Sequence, residues 1–443
     1  MNSRPVKQMW LPLQVEGELG TCDLSAENPQ PGEGLMERVL APENLRAAYR
    51  RVRANKGAPG VDGMTVDELA GYLRANWSAI REQLLAGEYR PAAVRGHELP
   101  KPGGGVRVLG IPTVLDRFIQ QALLQVLQPE WDPTFSDASY GFRPGRSAHQ
   151  AVARAQGHYR DGYHWVVDID LEKFFDRVNQ DKLMALVAER IDDWRVRRVI
   201  RRFLKAGMFR GGVLEGRKEG TPQGGPLSPL LANLLLDRLD KELEKRGHRF
   251  VRYADDGNIY VRSRRAGERV MDSVSRYLRE RLKLKVNEQK SAVAKPRQRS
   301  FLGFSIGKSG SLHVSDKTIR RFKDRVRVLT RRTRARSLRQ IVAELRVYML
   351  GWRNYFRIVT GKTRLRELSA WVQRRLRCYQ WKQWGSRGYR ELRRRGVSRD
   401  LAWNTCKSAH GAWRISMSPA LGIALPTQCF VKLGLPLLHQ EVR

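Results

Sequence analysis

The sequence predicts an α+β fold that leads into a helical and strongly basic C-terminal region. Short apolar runs with strand character end in turn residues or acids, and helical patterns alternate with them without a regular βαβ repeat. The composition then changes after about residue 310. A chain of 443 residues is long enough for two or three domains.

The net charge predicts a polyanionic partner. Lys and Arg number 83 and Asp and Glu 45, so the formal net charge is +38. Such an excess repels itself in a compact fold, and nucleic acid is the partner that best explains it. A membrane surface is the weaker explanation, because no apolar run approaches the ~18 residues that a span needs, and we expect no membrane partner.

The four cysteines, at positions 22, 378, 406 and 429, are widely separated and form no CxxC pair. This spacing argues against a structural zinc site and against a disulfide framework, and it favours reduced cysteines in an intracellular protein. The first residues lack the apolar stretch of a signal peptide, so we expect a cytoplasmic protein.

Candidate metal ligands lie at predicted strand ends. Residues 165–170 (WVVDID) are typical of a buried strand ending in Asp170, and residues 250–261 predict a hairpin whose turn carries Asp255 and Asp256. Carboxylates held this way can bind two Mg²⁺ ions about 4 Å apart for phosphoryl transfer. An Asp-Asp pair alone is a weak signal, because exposed Asp-Asp turns are common.

The basic charge is concentrated in residues 317–400, which contain 27 Lys and Arg but five Asp and Glu. Tryptophans and tyrosines are interleaved with them, and the simplest secondary structure for residues 317–346 is a helix with a basic face. Arginines on helices neutralise phosphates, whereas each tryptophan taken singly is better explained as core. A merely solvated face would mix the two signs of charge.

Nine segments follow one another in a fixed order: NKGAPGVDG at 55–63, LPKPGGGVRVLGIP at 99–112, YGFRPGRS at 140–147, DIDLEKFFD at 168–176, TPQGGPLSP at 221–229, YADD at 253–256, FLGF at 301–304, YMLGWRNYF at 348–356 and GAWRIS at 411–416. This order resembles the group II intron reverse transcriptases, also called intron-encoded maturases, over residues 45–435. The resemblance implies a right-hand polymerase with reverse-transcriptase fingers and palm at 35–305. A flexible leader would precede it at 1–34, and an all-α thumb/maturase domain X, which binds RNA, would follow at 306–443.

The resemblance also implies roles for individual residues. Asp170 and Asp255 would be the main ligands of two Mg²⁺ ions, and Asp256 would complete this catalytic acid cluster. Asp168 is better explained as a structural partner.

The incoming nucleotide would be held by five residues. Lys101 and Arg107 would grip the triphosphate, and Gln223 would lie against the nascent base pair and the template. Phe175 would exclude a 2′-hydroxyl, with a plain core aromatic as its alternative. Lys290 would protonate the leaving pyrophosphate, unless it is a solvated surface lysine.

The expected partners are the intron RNA, an RNA template with its DNA primer, target DNA and dNTPs. The residues predicted to contact RNA or DNA are Arg143, Arg146, Arg320, Arg321, Lys323, Arg327, Arg331, Arg353, Arg374 and Arg375.

The function that the resemblance implies is RNA-directed DNA polymerisation, combined with splicing assistance and copying of the intron during target-primed retrohoming. The resemblance also implies a bacterial protein that is cytoplasmic and meets the nucleoid when it acts on DNA. The sequence shows no cysteine pairs and no His/Asn nuclease signature after domain X, which predicts a compact, class C-like form without an endonuclease. Two alternatives remain: an RNA-binding maturase with little polymerase activity, and a reverse transcriptase of another bacterial system such as a retron or a defence element.

Overall fold

A computed structural model describes residues 34–100 and 105–440. Within these, the chain divides into two compact units, residues 34–296 and residues 297–440. The division falls after Pro296, whereas the sequence placed a boundary after residue 305. The predicted leader at 1–34 lies outside the described residues except for Gly34, which precedes the first helix.

The first unit mixes helices and strands. In chain order the elements are α1 (Leu35–Val39), α2 (Pro42–Ala54), α3 (Leu69–Leu85), β1 (Val94–Pro100), β2 (Val106–Ile111), α4 (Val114–Trp131), α5 (Ala148–Arg160), β3 (Trp165–Ile169), α6 (Phe174–Arg177), α7 (Gln180–Ala188), α8 (Trp194–Lys205), β4 (Met208–Arg210), β5 (Val213–Glu215), α9 (Ser228–Lys245), β6 (Arg249–Tyr253), β7 (Asp256–Val261), α10 (Arg264–Tyr277) and β8 (Ala292–Ala294).

The central sheet of this unit has the strand order β6-β7-β3-β8, and all of its pairs are antiparallel. Val166, Val167 and Ile169 of β3 are buried, because helices pack against the sheet. On α10, a Cβ placed on Gly267 would lie 2.5 Å from Val293, so this helix lies directly on the strands. The predicted buried strand and the predicted hairpin are therefore confirmed.

An outer sheet has the order β2-β1-β4-β5. β1 and β2 form the predicted hairpin in antiparallel register, from Arg95 opposite Ile111 to Pro100 opposite Val106. β4 extends the sheet by pairing in parallel with β1 at Val94. The hairpin tip at residues 101–104 lies outside the described part of the chain.

The second unit is mostly helical. It begins with a two-stranded antiparallel sheet and continues as a series of helices: β9 (Phe304–Ile306), β10 (Leu312–Val314), α11 (Asp316–Leu329), α12 (Leu338–Tyr355), α13 (Thr363–Trp384), α14 (Gly388–Arg394), α15 (Arg399–Lys407), α16 (Ala412–Ile415), α17 (Pro419–Ala424) and α18 (Thr427–Lys432).

The single helix predicted for residues 317–346 is wrong, because the chain forms two helices there. α11 ends at Leu329, where the Thr330 hydroxyl donates to the Val326 carbonyl at 2.7 Å. α12 starts anew behind Ser337, whose side chain forms a capping box with Gln340.

Aromatic side chains form the core of the second unit. The ring centroid of Trp352 lies 4.8 Å from that of Phe322 and 4.5 Å from that of Phe356. Phe304 of β9 lies 4.9 Å from Phe356. The aromatic residues of the YMLGWRNYF segment thus hold α11 and α12 to the small sheet, and the core interpretation of Trp352 is confirmed. Within the described residues, none of the helices combines the length and apolar character needed to cross a membrane.

Candidate active site

The acid pair lies at a two-residue hairpin turn. Tyr253 pairs with Asp256 across β6 and β7, which leaves Ala254 and Asp255 to make the connection. Ala254 has φ = 57°, a left-handed conformation that hairpin turns favour but that suits glycine better than alanine. The surrounding structure must therefore hold this turn in place. Burial raises the pKa of the neighbouring Tyr253 hydroxyl.

Strand register brings Asp170 beside this turn. β3 pairs with β7 up to Ile169 opposite Gly257, so the next residue, Asp170, comes opposite Asp256. The backbone of Asp170 is fixed from the other side, because its N–H donates to the Ser291 hydroxyl at 3.0 Å and its carbonyl accepts from the Asn287 N–H at 2.8 Å.

The donor set suits Mg²⁺, which prefers carboxylate oxygens and completes its shell with water and substrate phosphates. The Asp170 side chain is 35% exposed, and Asp256 is exposed. Among residues 34–100 and 105–440, no group of three or more His, Cys, Asp or Glu side chains forms a ready-made metal cage. The carboxylates lie together at one accessible end of the sheet, where phosphate oxygens could share the ions.

Asp168 lies opposite Asn258 in the β3–β7 register. The side-chain amide of Asn258 is oriented so that its nitrogen faces acceptors and its oxygen faces donors. In this orientation the nitrogen donates to Asp168 Oδ1 at 3.1 Å. This contact supports the structural role predicted for Asp168. Lys290 Nζ lies 3.8 Å from Asp170 Oδ2, and the lysine side chain is 67% exposed.

The TPQGG loop connects the candidate nucleotide-binding residues. The Thr221 N–H donates to the Phe175 carbonyl at 2.7 Å, and the Gln223 carbonyl accepts from the Gly110 N–H at 3.0 Å. Gly224 approaches β2 so closely that a Cβ would lie 2.5 Å from the Gly110 carbonyl oxygen. Phe175, Gln223 and the strand that carries Arg107 are therefore neighbours. Lys101 and the side chain of Arg107 lie outside what the structure describes.

The prediction that Arg143 contacts RNA or DNA is wrong, because its side chain is buried and bonded within the protein. Its side chain is 2% exposed, with Nε 2.9 Å from Asp132 Oδ1, and its other nitrogens donate to the carbonyls of Asp132, Ser136 and Ser139. No donor remains for a phosphate. Arg146 also makes contacts within the protein, since it donates to Asp137 at 2.6 Å and lies over the Tyr140 ring at 5.5 Å.

The residues of the second unit that were predicted to contact RNA or DNA include an exposed group and a group that contacts tryptophans. Arg320, Arg321 and Arg331 are exposed on and just beyond α11. In the other group, cations lie over the tryptophans of α13 and α16: Lys323, Arg327 and Arg375 over Trp371, and Arg374 and Arg375 over Trp413.

The closest of these contacts sets Arg374 3.9 Å from the Trp413 ring centroid. Arg375 is also anchored to Thr330 Oγ1 at 2.9 Å, and Arg353 is half-buried. Arg374 and Arg375 join helices, so the exposed group is the better candidate for RNA contact.

Sequence reasoning missed a buried polar network beneath the turn. Arg252, immediately before the YADD segment, forms an ion pair with Asp240 of α9, and both side chains are almost fully buried. Burial raises the pKa of the Asp240 carboxyl, and the Arg252 guanidinium opposes that shift. The available signal was an arginine inside an apolar strand and an aspartate on an apolar helix, because such charges need partners when buried.

Gly141 of the YGFRPGRS segment contacts the turn directly, because a Cβ there would lie 2.2 Å from the Ala254 nitrogen. We predict that Gly141→Ala lowers the free energy of unfolding of the first unit by about 1–3 kcal/mol through overpacking. It should also speed hydrogen exchange in residues 253–258. Hydrogen exchange with mass spectrometry measures both effects.

The matched control is Gly157→Ala, where a Cβ in α5 meets nothing within 4 Å. This variant should stabilise the helix by about 0.5–1 kcal/mol. Equal behaviour of the two variants would argue against the contact with the turn.

Family models match two successive parts of the chain. "Reverse transcriptase (RNA-dependent DNA polymerase)" matches residues 99–306, and "Group II intron, maturase-specific domain" matches residues 319–396. These matches confirm the predicted right-hand reverse-transcriptase fold followed by an α-rich domain.

Curated relatives agree with the family models. The chain is similar to Protein YkfC of Escherichia coli, with 37% identity over 39% of this chain and 47% of that protein. It is 34% identical to the group II intron-encoded protein LtrA of Lactococcus lactis over 39% of this chain and 29% of LtrA. It thus spans about half or less of these relatives. With both domains in succession, the chain belongs to the group II intron reverse transcriptase/maturase family.

Proposed function

We propose that the chain is an RNA-directed DNA polymerase that also binds group II intron RNA as a maturase. In this role it promotes splicing and reverse-transcribes the intron during target-primed retrohoming. The observation that carries the proposal is the β3–β7 register, which brings Asp170 to the Asp255-Asp256 turn in a domain of the reverse transcriptase family. The maturase-specific match at residues 319–396 supports the RNA-binding part.

Three carboxylates would perform the chemistry, with Asp170 and Asp255 as the main ligands of two Mg²⁺ ions and Asp256 completing the cluster. When bound, the ions supply an activated 3′-hydroxyl and offset the charge of the leaving pyrophosphate. The hydrogen bonds of the Asp170 backbone to Asn287 and Ser291 keep that carboxylate in place while the nucleotide changes. Lys290, whose Nζ lies 3.8 Å from Asp170 Oδ2, would protonate the leaving pyrophosphate.

The same neighbourhood would hold the dNTP. Lys101 and Arg107 on the β1–β2 hairpin would neutralise the triphosphate. Gln223 would lie against the new base pair, and Phe175 would lie under the sugar and exclude a 2′-hydroxyl. The hydrogen bonds that join the TPQGG loop to Phe175 and to Gly110 support this grouping.

Each of the two units would have a separate role in polymerisation and RNA binding. The first would supply the fingers and palm, and the second, from about residue 306, would supply the thumb and the RNA-binding domain X. RNA template, DNA primer and target DNA would be the remaining partners. Exposed arginines on and beyond α11 are the best candidates for phosphate contact in the second unit.

Asp255→Ala tests the polymerase assignment. We expect it to abolish extension of a DNA primer on an RNA template with Mg²⁺, because a main metal ligand is lost, while the affinity for intron RNA changes by less than about twofold. Asp181→Ala, which removes an 83% exposed aspartate from the same unit, is the matched control and should remain active.

Two results would redirect the assignment. Wild-type protein that binds intron RNA but incorporates no nucleotide would favour a maturase without polymerase activity. Wild-type protein that polymerises but leaves splicing of its intron unchanged would favour a reverse transcriptase of another bacterial system.

Phe175→Ala should admit ribonucleotides, because removing the ring opens space for a 2′-hydroxyl. We expect discrimination between dNTP and rNTP, measured as the ratio of kcat/KM values, to fall by about tenfold or more. Phe209→Ala, which removes an exposed ring on β4, is the control. Unchanged discrimination in Phe175→Ala would leave its ring as a core aromatic only.

The double variant Arg320→Gln/Arg321→Gln should weaken intron RNA binding and flatten its salt dependence. Each lost phosphate contact should reduce the slope of log K against log [KCl] by about 0.7–0.9. Arg264→Gln/Arg265→Gln on α10, which removes the same charge from the first unit, is the control. Equal slopes for the two double variants would contradict a contact at α11.

A further inference from the structure

Arg252 is a buried side chain whose donors are directed to three different groups. Nε donates to both Asp240 oxygens at 2.9 and 3.0 Å, and Nη2 donates to Asp240 Oδ2 at 2.5 Å. Nη1 donates to Asn233 Oδ1 and to the Ala254 carbonyl, each at 2.9 Å. The guanidinium therefore links the long helix α9 to the turn that carries Asp255.

The planar guanidinium fixes the direction of these bonds. Because its five donors lie in a rigid fork, anchoring one edge on Asp240 determines where the opposite edge points. That edge meets the carbonyl of Ala254, the residue with the left-handed φ of 57°. A charge-assisted hydrogen bond at this carbonyl opposes relaxation of the turn to a more common conformation.

The backbone of residues 138–141, where the YGFRPGRS segment begins, holds Arg252 and the turn from another direction. Arg252 N–H donates to the Ala138 carbonyl at 2.8 Å, and its carbonyl accepts from the Tyr140 N–H at 2.9 Å. Asn233 connects the two supports, since its Nδ2 donates to the Gly141 carbonyl at 2.9 Å while its Oδ1 accepts from Arg252. The turn is thus bounded by Gly141 and by the Arg252 fork.

We propose that Arg252, oriented by Asp240 and Asn233, is a positioning residue that sets the orientation of Asp255 through the carbonyl of Ala254. This role in catalysis rests on the proposed polymerase function, whereas the hydrogen bonds of Arg252 do not depend on it. Because α9 is buried along most of its length, it provides a rigid base for the fork. Displacing a ligand carboxylate by about an ångström is enough to reduce phosphoryl transfer strongly.

Arg252→Lys is the decisive variant, because lysine keeps the charge near Asp240 but cannot bond Asp240 and the Ala254 carbonyl with one rigid fork. We expect kcat for dNTP incorporation to fall by about tenfold or more, while KM for dNTP and the affinity for primer-template change by less than about twofold. Asn233→Ala, which keeps the ion pair, should show a smaller loss of the same kind.

A second measurement does not depend on turnover. The full chain is bound to an RNA template, a 3′-deoxy-terminated primer and dNTP, and Mn²⁺ is titrated into this stalled complex and followed by electron paramagnetic resonance. Arg252→Lys should weaken Mn²⁺ binding by about threefold or more, because ligand orientation contributes to metal affinity.

Arg195→Lys is the matched control for lost stability. Arg195 bonds Glu37 and Asp193 at 2.6–2.9 Å on α8, away from the turn. This variant should be less stable but should keep kcat and Mn²⁺ affinity. If Arg252→Lys matched Arg195→Lys in both, or bound Mn²⁺ like the wild type, the positioning role would be overturned. Inactive wild-type protein would refute the proposed function alone, since the Mn²⁺ titration still decides the role of Arg252.

Discussion

The antiparallel register of β3 with β7 is the constraint on which the candidate site depends. A slip of one residue would turn every side chain of β3 to the opposite face and move Asp170 away from Asp256. The register is protected by packing, since Val167 and Ile169 are buried and α10 lies on the sheet at Gly267. The position of the carboxylates is therefore a consequence of the hydrophobic core, and it does not require the acids to stabilise one another.

Glycines allow the loops around the site to pack closely against the strands and the turn. Gly141 lets the YGFRPGRS segment reach the turn, and Gly224 lets the TPQGG loop reach the end of β2. Gly220, at φ = 82°, lies against the carbonyls of Phe175 and Asp176, where any Cβ would collide. The segments that carry the family resemblance are thus also the places where backbones approach most closely, and a sequence signature of this kind reports packing as much as chemistry.

Local patterns predicted the strands, the two hairpins and the acids at their ends, because each of these depends on neighbouring residues. Contacts between distant residues were not predictable in the same way. Arg143 was predicted to contact nucleic acid, but its side chain is held by Asp132 and Ser136. The pairing of Arg252 with Asp240 depends on α9 lying under β6, and the break between α11 and α12 depends on caps at Thr330 and Ser337 that a basic, helix-favouring composition conceals.

The distribution of cations in the second unit limits what its charge can do. Arg375 lies over the rings of both Trp371 and Trp413 and is hydrogen-bonded to Thr330, so moving its guanidinium to a phosphate would break contacts that join α11, α13 and α16. Arginines of this kind still contribute to the long-range potential that attracts RNA, but they release few counterions at contact. The number of phosphates that the protein binds should therefore be well below its number of arginines. The arginines that lie over tryptophans are therefore the structural ones, because stacking on an indole holds a guanidinium in place at little cost in solvation.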